Sequence, residues 1–255
     1  MVNVLKANEL LYLSMLCGAK EVFGLPDVFY GKTDYEIKKL VDETSESCAG
    51  KGLFSVDFDG KTKFNDEVGK FVKILATAEI VTELIIRNTN ERQKRYLIYN
   101  KQKDRVIMFE SGGEYFITGE PELEKTCTGV QALFADIRIN KTETSGFTIT
   151  ADEVAEIRAG LKPKSSIIRA LMHDKGVDEL TVSLVTEAIA GRAGYFSAVT
   201  VSRLNKDIAT AVFIIVSGLV CQVSTDRKSS IHFTVVDNQQ ATQAALSFIG
   251  GDRHV

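Results

Sequence analysis

Apolar positions recur along this chain in blocks that switch between a period of about 3.6 and a period of about 2, and the order of the blocks repeats. Leu10, Leu11, Leu13, Met15, Leu16, Cys17 and Val22 predict a helix over 9–23, apolar almost all round, with Gly24-Leu25-Pro26 as its stop. Ile37, Leu40, Val41, Thr44 and Cys48 follow at helical spacing over 34–48, with Asp34 as the N-cap and Gly50 and Gly52 as the end. Phe64, Val68, Phe71, Val72 and Leu75 form the stripe of a third helix over 64–76, and Asp66 and Glu67 suit its first turn. The pattern then turns to strands at 80–86, 96–99, 106–109 and 115–118, separated by polar, hairpin-like runs. Gly119-Glu120-Pro121 opens a helix faced by Leu123, Cys127, Val130 and Phe134.

The same order starts again near Thr150. Thr150-x-x-Glu153 is a capping box ahead of Val154, Ile157 and Leu161. A helix beginning at Ser165 or Ser166 ends at Lys175-Gly176-Val177, which corresponds to Lys51-Gly52-Leu53, and Asp178 caps the next helix. Strand-like runs at 195–203, 209–216, 220–225 and 231–236 lead to a last helix behind Asp237-x-x-Gln240. Identity between the copies is low, so the repeat is one of element order, with halves of about 1–139 and 147–251 in a single domain spanning 1–255. Strands that meander in sequence pair antiparallel. The expected fold class is therefore α+β, a pseudo-two-fold repeat with two antiparallel sheets or one central antiparallel sheet, flanked by helices.

Composition narrows the function more than it defines it. At 255 residues, 44% hydrophobic and 25% charged, the chain has room for one large core or two smaller ones. A net charge of -3 offers no global attraction to nucleic acid or anionic lipid. No apolar run approaches the roughly 18 residues that span a bilayer. The N-terminus lacks the order of a signal peptide, and Cys17, Cys48, Cys127 and Cys221 lie in apolar contexts without C-x-x-C spacing, which points to buried free thiols and a cytoplasmic protein.

Candidate chemistry is sparse. His173, His232 and His254 are too scattered for a triad or a metal site, and no nucleophile elbow, zincin or phosphate-loop motif is present. Asp57-x-Asp59-Gly60 reads as a turn, because Val68 stands where a calcium loop needs its glutamate. Gly191-Arg192-Ala193-Gly194 resembles a KH-type clamp but suits a helix end entering a strand. The run from Arg87 to Arg105 is basic, either a solvated hairpin rim or a contact surface for an acidic partner. Hairpin tips able to grip another chain are expected at Asn90, Arg92, Lys94, Arg95 and Tyr96, and at Leu204, Asn205 and Lys206. Two other readings stay open. One is a winged-helix DNA-binding regulator using helix 64–76, against which stand Asp66 and Glu67 and the surplus of strands; the other is an enzyme whose site leaves no motif.

A helix ending in Cys48-Ala49-Gly50-Lys51-Gly52-Leu53, a short Asp-containing turn, the 64–76 helix and a strand over 79–87 together resemble the first half of the EspG family. The closing strands Val220–Thr225 and His232–Val236, with the helix 238–249, agree with that family's pattern. The resemblance covers nearly the whole chain as pattern, without signature motifs, and the sequence style looks more like a Gram-positive Firmicute relative than a mycobacterial one. It implies a fold of two pseudo-symmetric halves around a central antiparallel sheet with helical bundles. It also implies a cytosolic chaperone or adaptor of type VII (ESX-like) secretion, without catalytic, cofactor or metal site. Such a protein binds the helical-hairpin region of a secreted substrate and keeps it soluble for export, without nucleic acid or membrane, as a monomer or weak homodimer.

Overall fold

A lysine and a glycine that end a helix, and a glutamate that reaches them from the helix before, recur in both copies of the repeat. The computed structural model describes residues 3–88, 92–118, 120–135, 146–159, 164–189, 193–216, 219–226 and 229–250. The chain divides into a first unit of Met1–Glu83, Arg95–Leu123 and Val201–Asp207, and a second of Leu84–Lys94, Glu124–Thr200 and Ile208–Val255.

The first unit opens on a short strand, β1 (Asn3–Lys6), that turns directly into helix α1 (Ala7–Leu16). The helix stops well before the expected Gly24. Gly18 adopts φ +87°, and Gly18 N–H and Ala19 N–H bond back to Met15 and Ser14 carbonyls at 2.9 and 3.0 Å, closing the last turn in a Schellman motif. Gly24 does matter, but as a close approach: at φ +81° it faces Leu97, whose side chain would collide with any Cβ. Helix α2 (Asp34–Gly50) starts one residue away from expectation. Thr33 is the cap, and Glu36 returns a bond to its N–H at 2.8 Å, which leaves Asp34 as the first helical residue.

Residues 54–64 form a hairpin of β2 (Phe54–Val56) and β3 (Thr62–Phe64), and the turn read at Asp57–Gly60 is its tip. Asn65 caps α3 (Asp66–Thr77), so the expected first member of the stripe, Phe64, ends β3 instead, while Val68, Phe71, Val72 and Leu75 are buried as the stripe predicts. Strands β4 (Ile80–Arg87), β5 (Lys94–Lys101), β6 (Asp104–Ser111) and β7 (Glu114–Thr118) follow, then α4 (Glu120–Ala135). The order is β1-β7-β6-β5-β4, and β1–β7, β6–β7 and β5–β6 all pair antiparallel. Helices α1, α2 and α3 cover a core in which Leu10, Leu13, Val72, Leu75 and Tyr99 are fully enclosed. Tyr99 donates to the Phe23 carbonyl at 2.6 Å, so the one polar atom of this buried ring is satisfied.

The second copy starts with β8 (Gly146–Ile149), a short strand ahead of Thr150 that the sequence pattern does not announce. Helices α5 (Ala151–Ala159), α6 (Lys164–Asp174) and α7 (Glu179–Ile189) follow, then β9 (Gly194–Ser202), β10 (Ile208–Val216), β11 (Leu219–Thr225), β12 (Ile231–Val236) and α8 (Asn238–Gly250). The order β9-β10-β11-β12-β8 mirrors that of the first copy, with antiparallel pairing at β10–β11, β11–β12 and β12–β8. Phe147 stacks on Phe233 across the β8–β12 pair, centroids 4.5 Å apart. The large antiparallel sheet with helices is the α+β class that the pattern predicts.

The recurring clamp is built the same way twice. Leu53 N–H bonds Cys48 O at 3.0 Å and Gly52 N–H bonds Ala49 O at 2.9 Å; Val177 N–H bonds Met172 O at 3.0 Å and Gly176 N–H bonds His173 O at 2.9 Å. The glycines sit at φ +66° and +70°, where only glycine is comfortable. Glu9, third residue of α1, accepts from Lys6 N–H at 2.9 Å, from Ser47 Oγ at 2.8 Å and from Lys51 Nζ at 2.8 Å. Its counterpart Glu153 accepts from Thr150 N–H at 2.8 Å and pairs with Lys175 Nζ at 2.9 Å. Each carboxylate thus takes the N-cap backbone N–H of its own helix, within a full capping box at Thr150, and ties down the end of the following helix.

The two clamps differ in burial, since the Glu9 side chain is 1% exposed and that of Glu153 22%. Burial pushes the Glu9 pKa up, but Lys51, Lys6 and Ser47 outweigh it and hold the carboxyl below its ordinary value. Removing Lys51 strands a buried carboxylate, so Lys51→Ala is expected to destabilise the protein by about 3 kcal/mol and Lys175→Ala by about 1 kcal/mol in urea unfolding. Because the folded pKa is depressed, the Glu9 contribution is complete above the ordinary value of 4.5 and fades as pH falls below it. Glu9→Gln is expected to flatten that acid limb of the stability profile. An unchanged limb would show that Glu9 is not the titrating group.

Candidate functional site

The second unit contains an apolar cavity of about 680 Å³ between one face of its strands and the helices α5, α6 and α7. Strand alternation makes the floor: Val212 and Ile214 of β10 and Val223 of β11 line it, while Phe213 turns to the opposite face and packs with Phe134 and Phe196. Val154 and Ile157 of α5, Ile168 of α6 and Val185 of α7 supply the helical wall. Ile85, Val154, Ile168, Val212, Ile214 and Val223 are only half-buried, so the cavity keeps a continuous apolar lining in reach of a partner.

Polar groups enter at few places. Arg87, at the end of β4, lines the cavity and donates from Nη2 to the Ala193 carbonyl at 3.1 Å. Its Nε is buried with no hydrogen-bond partner among the described residues. Gln93 and Lys164, both exposed, and the half-buried Tyr195 are the other lining side chains with polar atoms. The arrangement suits an apolar surface carrying a few acceptors or carboxylates.

The residues expected at the hairpin tips fall into distinct settings. Asn90 lies outside the described residues. Arg92 and Lys94 are exposed beside Gln93, on the second unit. Arg95 is drawn inward: Nε pairs with Glu83, and Nη2 donates to the Gly24 carbonyl at 2.7 Å. Tyr96 is buried, its ring tilted against Phe109. Elsewhere in the basic run Lys101 donates to Thr77 at 2.8 Å and Arg105 to Asn100 at 2.7 Å, so much of that charge is used within the fold.

Leu204, Asn205 and Lys206 form an exposed tip on the first unit, with Leu204 72% exposed. The tip is held from below. Ser202 N–H bonds Asp207 O at 2.9 Å and Arg203 N–H bonds Glu79 O at 2.8 Å, while the Arg203 guanidinium reaches the Ala76 and Glu21 carbonyls. Lys206 takes φ +60°, the left-handed residue of the turn.

All four cysteines are free thiols, but only Cys48 and Cys221 are buried as expected; Cys17 and Cys127 lie at the edge of the packed interior and are half-buried. Burial pushes the Cys48 thiol up to about 11 and the Cys221 thiol up to about 12, which suppresses the reactive thiolate. His232 spans Thr148 Oγ1 at 3.0 Å and Asp226 Oδ2 at 3.2 Å, tying β8 to the β11–β12 turn. His173 lies 3.5 Å from Glu179, and His254 lies outside the described residues. Among the described residues no three His, Cys, Asp or Glu side chains gather as a metal-holding group, and no helix is long and apolar enough to cross a membrane. Helix α3 spends its apolar face in the core of the first unit and carries Asp66 and Glu67 at its start.

The sequence marks Arg87 only as the start of a basic run and singles out neither Lys164 nor the cavity wall. Their residues come from separate elements, and each reads alone as an ordinary core or surface position. The clearest signal was in the helices α5 and α6, which have more apolar positions than the fold buries.

Together the element order, the mirrored strand order and the helices packed on the sheet define an EspG-like α+β fold. The chain is similar to the type VII secretion chaperone EspG5 of Mycobacterium tuberculosis, solved in complex with the PE25-PPE41 dimer, with a TM-score of 0.55 at 11% identity over 98% of this chain and 95% of that one. No protein-family model matches the chain, and no curated protein does. At that identity the likeness is one of fold.

Arg87 stands in the cavity with a donor that is unsatisfied among the described residues, a poor choice for stability alone. Arg87→Met is expected to leave unfolding free energy within about 1 kcal/mol of wild type. A loss of about 3 kcal/mol or more would make Arg87 a structural residue.

Proposed function

We propose that this chain is a non-enzymatic cytosolic chaperone or adaptor of a type VII (ESX-like) secretion system. It binds the helical-hairpin region of a secreted substrate and keeps it soluble and competent for export. The observation that carries this reading is the EspG-like fold over nearly the full length of both chains, joined to an open apolar cavity with a cationic group in its wall. A helix end laid on such a surface buries its apolar side chains and offers its acceptors to Arg87 and Lys164.

In this reading the chain acts as one domain of two pseudo-symmetric halves, 1–139 and 147–251. The tips are proposed as gripping elements: Asn90, Arg92 and Lys94 on one, Leu204, Asn205 and Lys206 on the other, with Arg95 and Tyr96 holding the first from behind. The protein needs no cofactor or metal for this work, and no observation favours a DNA-binding role.

The test is a pull-down of the tagged protein from its native cytoplasm, with bound proteins identified by mass spectrometry. The expected result is recovery of a helical secreted protein, reduced at least about ten-fold by Ile168→Glu in the cavity wall and by Arg92→Glu with Lys94→Glu at the tip. Recovery unaffected by the tip variant would remove the tip from the site. Recovery of nucleic acid, or of no partner at all, would contradict the chaperone reading.

A further inference from the structure

The hairpin of β2 and β3 belongs to the first copy alone: in the second copy Val177 and Asp178 lead straight into α7. Its root is firmly set. Phe54 is buried, Phe64 packs against the same core, and Asn65 N–H bonds the Leu53 carbonyl at 3.0 Å. Its tip is equally well defined. Asp57 Oδ1 accepts from Asp59 N–H at 3.0 Å and Lys61 N–H at 2.8 Å, Gly60 N–H bonds Asp57 O at 3.0 Å, and Gly60 adopts φ +76°. This ordered turn holds Phe58 wholly in solvent, at 110% of reference exposure, with Val56 59% exposed beside it. A lone apolar side chain on a surface is ordinary. A phenylalanine held clear of the fold on a hydrogen-bonded tip, flanked by Asp57 and Asp59, has the form of an inserting group. The two carboxylates disfavour an anionic lipid surface.

The complementary receptor is on the same chain. The cavity of the second unit is apolar, and its cationic groups are Arg87, with Nε unpartnered among the described residues, and Lys164 at the rim. We propose that Phe58 of one copy inserts into this cavity of a second copy, with Asp59 facing Lys164 and Asp57 facing Arg87. Engaged reciprocally, the two tips and two cavities close an isologous two-fold dimer; engaged singly, the contact is heterologous and extends head to tail. It covers the apolar lining while no other ligand is bound, and any partner that uses the cavity competes with it. The inference goes beyond the chaperone reading, because self-association through Phe58 and capture of a secreted substrate each stand without the other.

Sedimentation equilibrium of the full chain from about 1 to 300 µM tests it. The expected result is concentration-dependent association that weakens with salt and falls at least about ten-fold in Phe58→Asp, a variant at a site with no packing to lose. Asp59→Lys and Lys164→Glu should each weaken it, and the two exchanges combined in one chain should restore it. A wild type that stays monomeric throughout overturns the proposal and leaves the cavity to another protein. Association that Phe58→Asp leaves unchanged also overturns it, and places the contact elsewhere on the surface. In neither case is the pull-down result affected, so the two readings fail separately.

Discussion

A carboxylate at the third position of one helix, gripped by the lysine that ends the next, sets the helical layer in both halves of this protein. Glu9 is almost completely buried and meets three donors, so Lys51 cannot be withdrawn without leaving a desolvated charge. Because Glu9 also caps α1 directly behind β1, the same contact fixes where that edge strand ends and begins its pairing with β7. Glu153 and Lys175 repeat the device behind β8, with more solvent about them. The halves then diverge. The first adds a hairpin with an exposed Phe58; the second keeps an open cavity beneath its helices.

Much of this plan is visible in the sequence, and the parts that are not have physical reasons. Lys-Gly followed by an apolar residue marks the Schellman ends at Gly52 and Gly176, because glycine is needed at φ > 0 and the next side chain must pack back. Thr150-x-x-Glu153 announces its box, whereas Lys6-x-x-Glu9 does not, since the lysine side chain has no acceptor and only the Glu9 half of the exchange forms. The strands β1 and β8 are too short to show alternation, and β8 follows a polar stretch that reads as loop. The end of α1 is invisible to the periodicity because Gly18 lies inside an apolar run, where its left-handed turn leaves no mark.

The candidate site was the least legible feature. Its lining is assembled from β4, β8, β9, β10, β11, β12 and three helices, and only the fold brings those together. The tips at Arg92 and at Leu204 were readable because they interrupt strand patterns, yet their neighbours Arg95 and Tyr96 proved to be committed to the interior. The polar run around them looked uniform in sequence. The fold separates it into charges that hold the sheet together and charges that face water.

The central claim is that the cavity of the second unit is a protein-binding groove. Hydrogen–deuterium exchange of the protein with and without a secreted helical partner, followed by mass spectrometry, addresses it directly. Exchange is expected to slow along α5 and α6 and around Arg87 to Lys94 when the partner is bound. Binding that leaves those segments unprotected, with protection confined to other surfaces, would contradict it.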